Sequence, residues 1–404
     1  MISLDEARRH VLDRVREATP SAIALADAAG LVLAGDVVSA ETVPPFDNTA
    51  MDGFAVVAGD TTETPVTLDV VGTVAAGAAA DRPIGPGQAM RIMTGAPMPP
   101  GADAVVMVER TTYDESAGTV EVEITVPPGN HVRGAGEDVR PGDLLFAAGT
   151  QLTAGHLGVL ASVGVDVVDA FRRPVVGVIS TGDELVDDGR PLAPGEIRDS
   201  NRRTLLTMLE ESGFDAVDLG LARDDEAEIE AAFRTGLERC DAVLSSGGVS
   251  MGAFDYVKVV LDRIGEMRWM QIAIKPAKPF AFGLIGDTPI FGLPGNPVSS
   301  MVSYELFARP ALRKMAGHRT LERPAHVAIS DDPLGRHDDG KTHFLRVDGG
   351  PDDTGRWHIR KLGGQGSHQL TAMANATALA VVPDQVDIRA GDEVEIIRLG
   401  TLGV

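Results

Sequence analysis

Lys275 and Lys278 stand three residues apart in the segment IKPAKPFAFG, inside a window from Met267 to Gly286 that holds no Asp or Glu, in a chain of formal net charge −23. Two cations in a local gap of negative charge suit an anion. The segment is flanked by SSGGVSMGAFDYV, which begins at Ser245, and FGLPGNPVSS, which ends at Ser300. Both are glycine- or proline-hinged turns that follow short apolar runs. Hydroxyls, glycine amides and helix N-termini offer an oxyanion close donors and a favourable dipole. Two earlier turns carry similar chemistry, Ser180-Thr181-Gly182-Asp183-Glu184 and Arg223-Asp224-Asp225. Ser180, Thr181, Gly182, Ser246, Gly247, Gly248, Ser250, Pro294, Asn296 and Pro297 are therefore candidate lining residues. Asp224, Asp255 and Glu184 read in two ways. Acids at helix starts and in loops are stabilised by the helix dipole and by water; the same three could hold Mg2+, which takes carboxylates together with phosphate oxygens.

These turns need a frame that brings them together. Residues 174–317 alternate buried-type runs (VVGVIS, FDAVDLG, DAVLSS, QIAI, FAFGLI, TPIFGL) with helical segments. The first helix, DSNRRTLLTMLEESG, has Asp199 or Ser200 as its cap and Gly213 at its end; DDEAEIEAAFRTGLER and AFDYVKVVLDRIG follow. A long last helix begins at NPVSS, and Pro310 should kink or interrupt it. This is the texture of a mostly parallel sheet covered on both faces. Ligands of such sheets gather beyond the carboxyl ends of the strands, so the loaded turns would share one edge.

Around this core the texture changes. SLDEARRHVLDRVREA predicts an amphipathic helix over residues 3–18, with Ser3 and Glu6 as a capping box. From Thr42 to about Arg140, Gly/Pro turns separate short β-type runs, and Val120, Val122 and Ile124 alternate with Glu121, Glu123 and Thr125. A helix candidate, TAGHLGVLASVG, follows. Beyond Leu321 only strand-like runs remain. The expectation is a multidomain α/β fold: a central mostly parallel three-layer α/β domain (173–320), an inserted β domain (43–137), an N-terminal helical linking part (1–42 with 138–172) and a C-terminal β-barrel (321–404).

Composition limits the partners. With 36 Lys and Arg against 59 Asp and Glu, nucleic acid and anionic membranes are disfavoured as general partners. No run approaches the ~18 apolar residues of a membrane span. The single Cys240 permits no intrachain disulfide or CxxC metal site, and MISLDEARRH has no apolar leader core, so a cytoplasmic setting is expected. The nine His show no metal-ligand spacing. Alone, PPFDNTAMDGFA, RIMTGAP and the Gly363–His368 loop read as turns.

Taken together, PPFDNTAMDGFAV, RIMTGAPMPPGADAVV, RGAGEDVRPGD, STGDEL with EIRDSN, SSGGVSMGAFDYVK, IKPAKPFAFG and GLPGNPVSS resemble the signature set of the MoeA/gephyrin family, over nearly the whole chain and in the same order. STGDEL and SSGGVS also resemble the related adenylyltransferase and competence-damage families; AMDG with KPxKP points to MoeA. The resemblance implies a homodimer and a transferase that inserts molybdate into adenylated molybdopterin, releasing AMP with Mg2+. It implies metal and nucleotide-phosphate work for Asp224 and Asp255, support from Glu184, and an oxyanion role for Lys275 and Lys278. Asp52 and Thr94 would come from the inserted domain, across the dimer. Arg346 and Ser367 would reach from the barrel, while Pro294 and Pro297 would shape their loop. Where some bacterial members carry another lysine, this chain has Gln271. Alternatives within the fold are a non-catalytic scaffold, a tungstate-handling paralogue, or an enzyme that makes or hydrolyses the pterin nucleotide. The resemblance also offers a molybdopterin adenylyltransferase as a partner.

Overall fold

A computed structural model describes residues 1–248 and 256–400. Helix α1 (Leu4–Leu12) starts where the capping pattern places it, the Ser3 hydroxyl accepting from the Glu6 amide at 3.1 Å. It buries Ala7 and Val11. The helix stops well short of residue 18. The Leu12 carbonyl accepts from Lys314 Nζ at 2.6 Å, and the Ala18 amide donates to the Met315 carbonyl. Tertiary bonds replace helical ones there, although Val15 remains buried.

The inserted region forms a six-stranded sheet in the order Ala104–Met107, Gly53–Val56, Gln88–Ile92, Val66–Val74, Thr119–Val122, Thr111–Asp114. Residue 53 must be glycine, because a Cβ there would lie 2.0 Å from the Val106 carbonyl oxygen. That close approach seats Asp52 at the end of a central strand. A helix over Ala154–Ser162 shares a small core with Leu33, Leu152 and Ala170.

The central sheet comprises β1 (Val175–Thr181), β2 (Asp215–Ala222), β3 (Ala242–Ser246), β4 (Glu266–Gln271), β6 (Pro279–Ile285) and β7 (Thr288–Leu293), while β5 (Ile274–Lys275) lies outside it. The strand order is β2-β1-β3-β7-β6-β4. The first four strands are parallel, and β6 and β4 continue antiparallel. Helix α2 (Asn201–Glu211) covers one face, packing Leu205 and Leu209 with Val176, Val178, Leu244 and Phe291. Helices α3 (Glu226–Arg239) and α4 (Tyr256–Ile264) cover the other, where Phe233 and Leu261 meet Ile179, Val243 and Ile290. Burial on both faces explains why these strands read as continuous apolar runs rather than alternating ones.

Helix α5 (Pro297–Ser303) passes through a π-turn (Tyr304–Ala308) into α6 (Arg309–Met315). Pro310 therefore follows a wide turn instead of breaking the helix. A proline lacks the amide that would close a regular turn, and a π-turn absorbs the mismatch. The C-terminal region is a closed five-stranded barrel of β8 (Ala325–Ser330), β9 (Thr342–Pro351), β10 (Trp357–Lys361), β11 (Ala378–Val382) and β12 (Glu393–Arg398). Ring closure follows β9-β10-β8-β12-β11 and back to β9. Strand β5 adds to β9 from outside, pairing Ile274 with Thr342 and Lys275 with His343.

A buried ion cluster ties the barrel's entry to the central helices. Glu305, 5% exposed, accepts from Arg323 Nε at 2.5 Å and lies 3.6 Å from Arg309. Arg323 also donates to the Gly400 carbonyl. Removing the one carboxylate leaves the buried Arg309 guanidinium uncompensated, which costs ~3–5 kcal/mol. Glu305→Gln is therefore expected to lower the thermal midpoint by many degrees in calorimetry, and a midpoint within a degree of the parent would contradict this role.

Candidate functional site

The parallel strands end together, so their turns meet at one edge. In register, Ser180 of β1 pairs with Ser246 of β3, and Ser246 pairs with Leu293 of β7. The Gly247 amide donates to the Leu293 carbonyl at 3.1 Å. Gly247 has φ +98°, and a Cβ on it would sit 3.0 Å from the Thr181 carbonyl oxygen, so this turn requires glycine twice over. Gly295 approaches the same point, where a Cβ would lie 3.8 Å from the Gly247 Cα. Thr181, Gly247 and Gly295, drawn from three separate turns, therefore converge. Ser180, Thr181 and Ser246 are buried.

The second turn joins the first through acids. The Asp224 amide donates to Asp183 Oδ1 at 3.2 Å, and the Asp183 amide faces Asp224 Oδ2 at 3.4 Å. Glu184 folds back over Gly182. Asp225 caps α3, accepting from the Ala227 and Glu228 amides. Of this adjacent pair, Asp225 is thus committed to the helix, while Asp224 faces the neighbouring turn. Among the described residues no group of three or more His, Cys, Asp or Glu is arranged to hold a metal alone. Ser250 and Asp255 lie outside the described residues.

The cations arrive on a segment that belongs to two sheets. After β4 the chain leaves the central sheet and pairs with the barrel as β5. It turns at Ala277, whose φ is +73°, and re-enters the central sheet as β6. The Ile272 amide donates to the Lys278 carbonyl at 2.8 Å, closing the loop at its base. Pro276 and Ala277 are buried while Lys275 and Lys278 are exposed. Because β6 runs antiparallel to β7, with Ala281 opposite Gly292, its start lies at the edge where β7 ends. The QIAI run is therefore split, with Gln271 ending β4 and Ile274 belonging to the barrel. The Gln271 carbonyl accepts from the Ile2 amide.

Asn296 and Pro297 open α5, and the Val298 amide donates to the Ser367 carbonyl at 3.1 Å. This bond brings the Gly363–His368 loop to the same place. Arg346, 1% exposed, donates through Nη2 to the Gly364 and Gly366 carbonyls at 2.7 and 3.1 Å. Gln365 bonds both backbone groups of Arg346. The bonds made by Arg346 thus run to the loop backbone and fasten it.

Asp52 and Thr94 form their own pair in the inserted sheet. Asp52 Oδ1 accepts from the Thr94 amide at 2.6 Å and from its hydroxyl at 2.7 Å. These two hydrogen bonds, with Arg91 a lesser influence, hold the Asp52 carboxyl below the usual carboxylate range. Among the described residues, neither side chain bonds to the central edge.

Two residues at the start of α2 do more than the sequence reading assigns, which names Asp199 or Ser200 as the cap and gives Asn201 no role. Asp199 accepts from the Ser180 hydroxyl at 3.0 Å and from the Arg202 amide at 3.2 Å, so it does the bonding although Ser200 occupies the cap position. Asn201 Nδ2 donates to Ser246 Oγ at 2.8 Å and to the Gly295 carbonyl at 2.7 Å. The polar run DSN, longer than one cap requires, was the signal in the sequence.

Comparison with known proteins agrees along the whole chain. Residues 2–164 match the family described as MoeA N-terminal region (domain I and II), residues 177–314 a probable molybdopterin binding domain, and residues 336–399 the MoeA C-terminal region (domain IV). A molybdopterin molybdenumtransferase of Haemophilus influenzae is 38% identical over 398 residues, covering 98% of both chains. Molybdopterin molybdenumtransferase 2 of Mycobacterium tuberculosis is 37% identical over 407 residues, covering 98% of this chain and 99% of its own. The crystal structure of a molybdopterin biosynthesis MoeA protein from Pyrococcus horikosii superposes with a TM-score of 0.81 at 32% identity, over 98% of this chain and 99% of that one.

The Asp52 titration tests the local electrostatics. A lowered carboxylate pKa contributes stability above the ordinary carboxylate range, and that contribution is lost as pH falls through the lowered value. Thr94→Val removes the hydroxyl donor and keeps the amide. The Asp52 midpoint, followed by carboxyl-carbon NMR, is expected to move up part of the way to its ordinary value, and an unmoved midpoint would contradict the assignment.

Proposed function

Because this chain belongs to the MoeA family, we propose that it is a transferase of molybdenum cofactor biosynthesis that inserts molybdate into adenylated molybdopterin and releases AMP. The observation that carries this reading is the meeting of strand-end turns with the Lys275–Lys278 crossing at one edge of the central sheet. The substrates are a phosphorylated pterin nucleotide and a dianionic oxyanion, and the groups gathered there suit them. Gly247, Gly248 and Gly295 bring backbone close to the cradle, and the hydroxyls of Thr181 and Ser246 lie on the same edge. Lys275 and Lys278 place positive charge beside an otherwise acidic surface and would hold the oxyanion. Cleaving a phosphoanhydride requires positioning and charge stabilisation above all. The dithiolene sulfurs are the substrate's, so a single protein cysteine is sufficient.

The donor set fits Mg2+. This ion keeps several waters and takes one or two carboxylates plus phosphate oxygens, rather than a full protein cage. Asp224, whose Oδ2 faces the Asp183 amide, offers one such carboxylate, Asp255 is a second candidate on sequence grounds, and Glu184 would give support. When bound, the ion would neutralise charge on the phosphate oxygens. The chain's own carboxylates would orient it, and the glycine turns would orient the phosphates.

The four-part division of the chain, a cytoplasmic setting and a homodimer belong to the same proposal. Asp52 and Thr94 sit in the inserted sheet, and a second copy is the route by which they would reach the central edge. Among the described residues no helix is long and apolar enough to cross a membrane.

Purified protein supplied with adenylated molybdopterin, molybdate and Mg2+ is expected to release AMP and yield active cofactor. Removing one stabilising donor to a developing oxyanion typically costs ~10²–10³ in rate. Lys275→Ala, Lys278→Ala and Asp224→Asn are each expected to slow AMP release by about that order while the fold survives. Absence of AMP release by the parent protein would refute the activity, and near-parental rates in all three variants would refute the site.

A further inference from the structure

Ser180 and Ser246 are register partners, and both face the start of α2, yet their hydroxyls are used differently. The Ser180 hydroxyl donates to Asp199 and is spent within the fold. Ser246 is the acceptor in its bond. The Gly295 carbonyl can only accept. The Asn201 amide must therefore present its nitrogen there, at 2.7 Å, which settles the orientation of the side chain. That same nitrogen lies 2.8 Å from Ser246 Oγ. Nitrogen of an amide donates only, so Ser246 Oγ accepts. Both amide hydrogens are committed, and among the described residues the Ser246 hydroxyl gives its own hydrogen to no acceptor. Asn201 also bridges the turn after β3 to the turn after β7, which the Gly247 amide joins at the Leu293 carbonyl.

We propose that Asn201 is a positioning residue of the phosphate cradle: it locks the Ser246–Gly248 turn to the Gly295 turn and holds the Ser246 hydroxyl as a donor toward a bound phosphate oxygen. The inference rests on reading this edge as the nucleotide-phosphate site. It separates two adjacent serines of similar burial by role, with Ser180 structural and Ser246 facing the ligand through a hydrogen that no described residue accepts. It also places the control of that hydrogen on a helix-start residue outside the glycine turns.

The test uses the intact protein, with AMP and Mg2+ as the probe, and isothermal titration calorimetry. Asn201→Ala and Ser246→Ala are each expected to weaken AMP binding about tenfold, the size of one hydrogen bond to a charged group. If Asn201 acts through Ser246, the double variant is no weaker than about the worse single variant, because contacting residues in one network do not add. Asn201→Asp, closest in shape, is expected to bind worst. Its carboxylate repels the Gly295 carbonyl and draws the Ser246 hydrogen away from the ligand. Additive losses, or parental affinity in Asn201→Ala, would overturn the proposal.

A ligand-free measurement keeps this apart from the functional reading. Hydrogen exchange at the Gly247 amide is expected to rise in Asn201→Ala at unchanged exchange in the α3 and barrel peptides. Unchanged Gly247 exchange overturns the positioning role whatever AMP does. If the parent protein binds no AMP while Gly247 exchange responds, the nucleotide reading fails and the turn lock stands.

Discussion

Between Gln271 and Pro279 the chain leaves the central sheet, pairs for two residues with the barrel, and returns to the central sheet one strand over. This double crossing is the constraint on which the site depends. Its ends are fixed by β-ladders, its base by the Ile272 to Lys278 bond, and its middle by the buried Pro276 and Ala277. Lys275 and Lys278 therefore have few backbone positions available to them. The barrel is fastened to the carboxyl edge of the central sheet by the same residues that supply the cations. A left-handed non-glycine residue, Ala277, costs about 1 kcal/mol or more of backbone strain and persists because both sheets over-determine it.

The remaining contacts extend that logic. A parallel sheet puts every strand-to-helix turn on one edge, so a cradle assembled from several turns needs only local bonds to align them. Those bonds run from Gly247 to Leu293, from Asp224 to Asp183, and from Asn201 to both Ser246 and Gly295. From the barrel side, Arg346 and Gln365 set the Gly363–His368 loop, and its Ser367 carbonyl meets the first turn of α5. The acids of the second turn and the cations of the crossing thus flank one set of glycine turns without forming a closed ion pair among the described residues, an arrangement suited to an anionic ligand that arrives with a divalent cation.

Local periodicity made much of this readable. The alternation of apolar runs with capped amphipathic helices exposed the central sheet, and the turn chemistry exposed its edge. The capping box at Ser3 located the start of α1, and the acids before α3 located its cap. What stayed hidden was non-local. A two-residue strand such as Ile274–Lys275 has no periodic signature, so its membership in the barrel is set by the partner Thr342–His343 nearly seventy residues on. The early end of α1 depends on Lys314, more than three hundred residues away. Asn201 carries no role in the sequence reading, because a polar residue beside a helix cap has no local signature of a cross-turn clamp. Arg346 is named by the family resemblance alone, and its burial and its bonds to the Gly364 and Gly366 carbonyls could not be read from the sequence.

The central claim is that the oxyanion is held where the double crossing meets the strand-end turns. Crystals soaked in molybdate and measured at the molybdenum absorption edge test it directly. The account predicts an anomalous difference peak beside Lys275 and Lys278, within contact distance of the turn that opens α5. A single strong peak elsewhere on the molecule, with none at that edge, would contradict it.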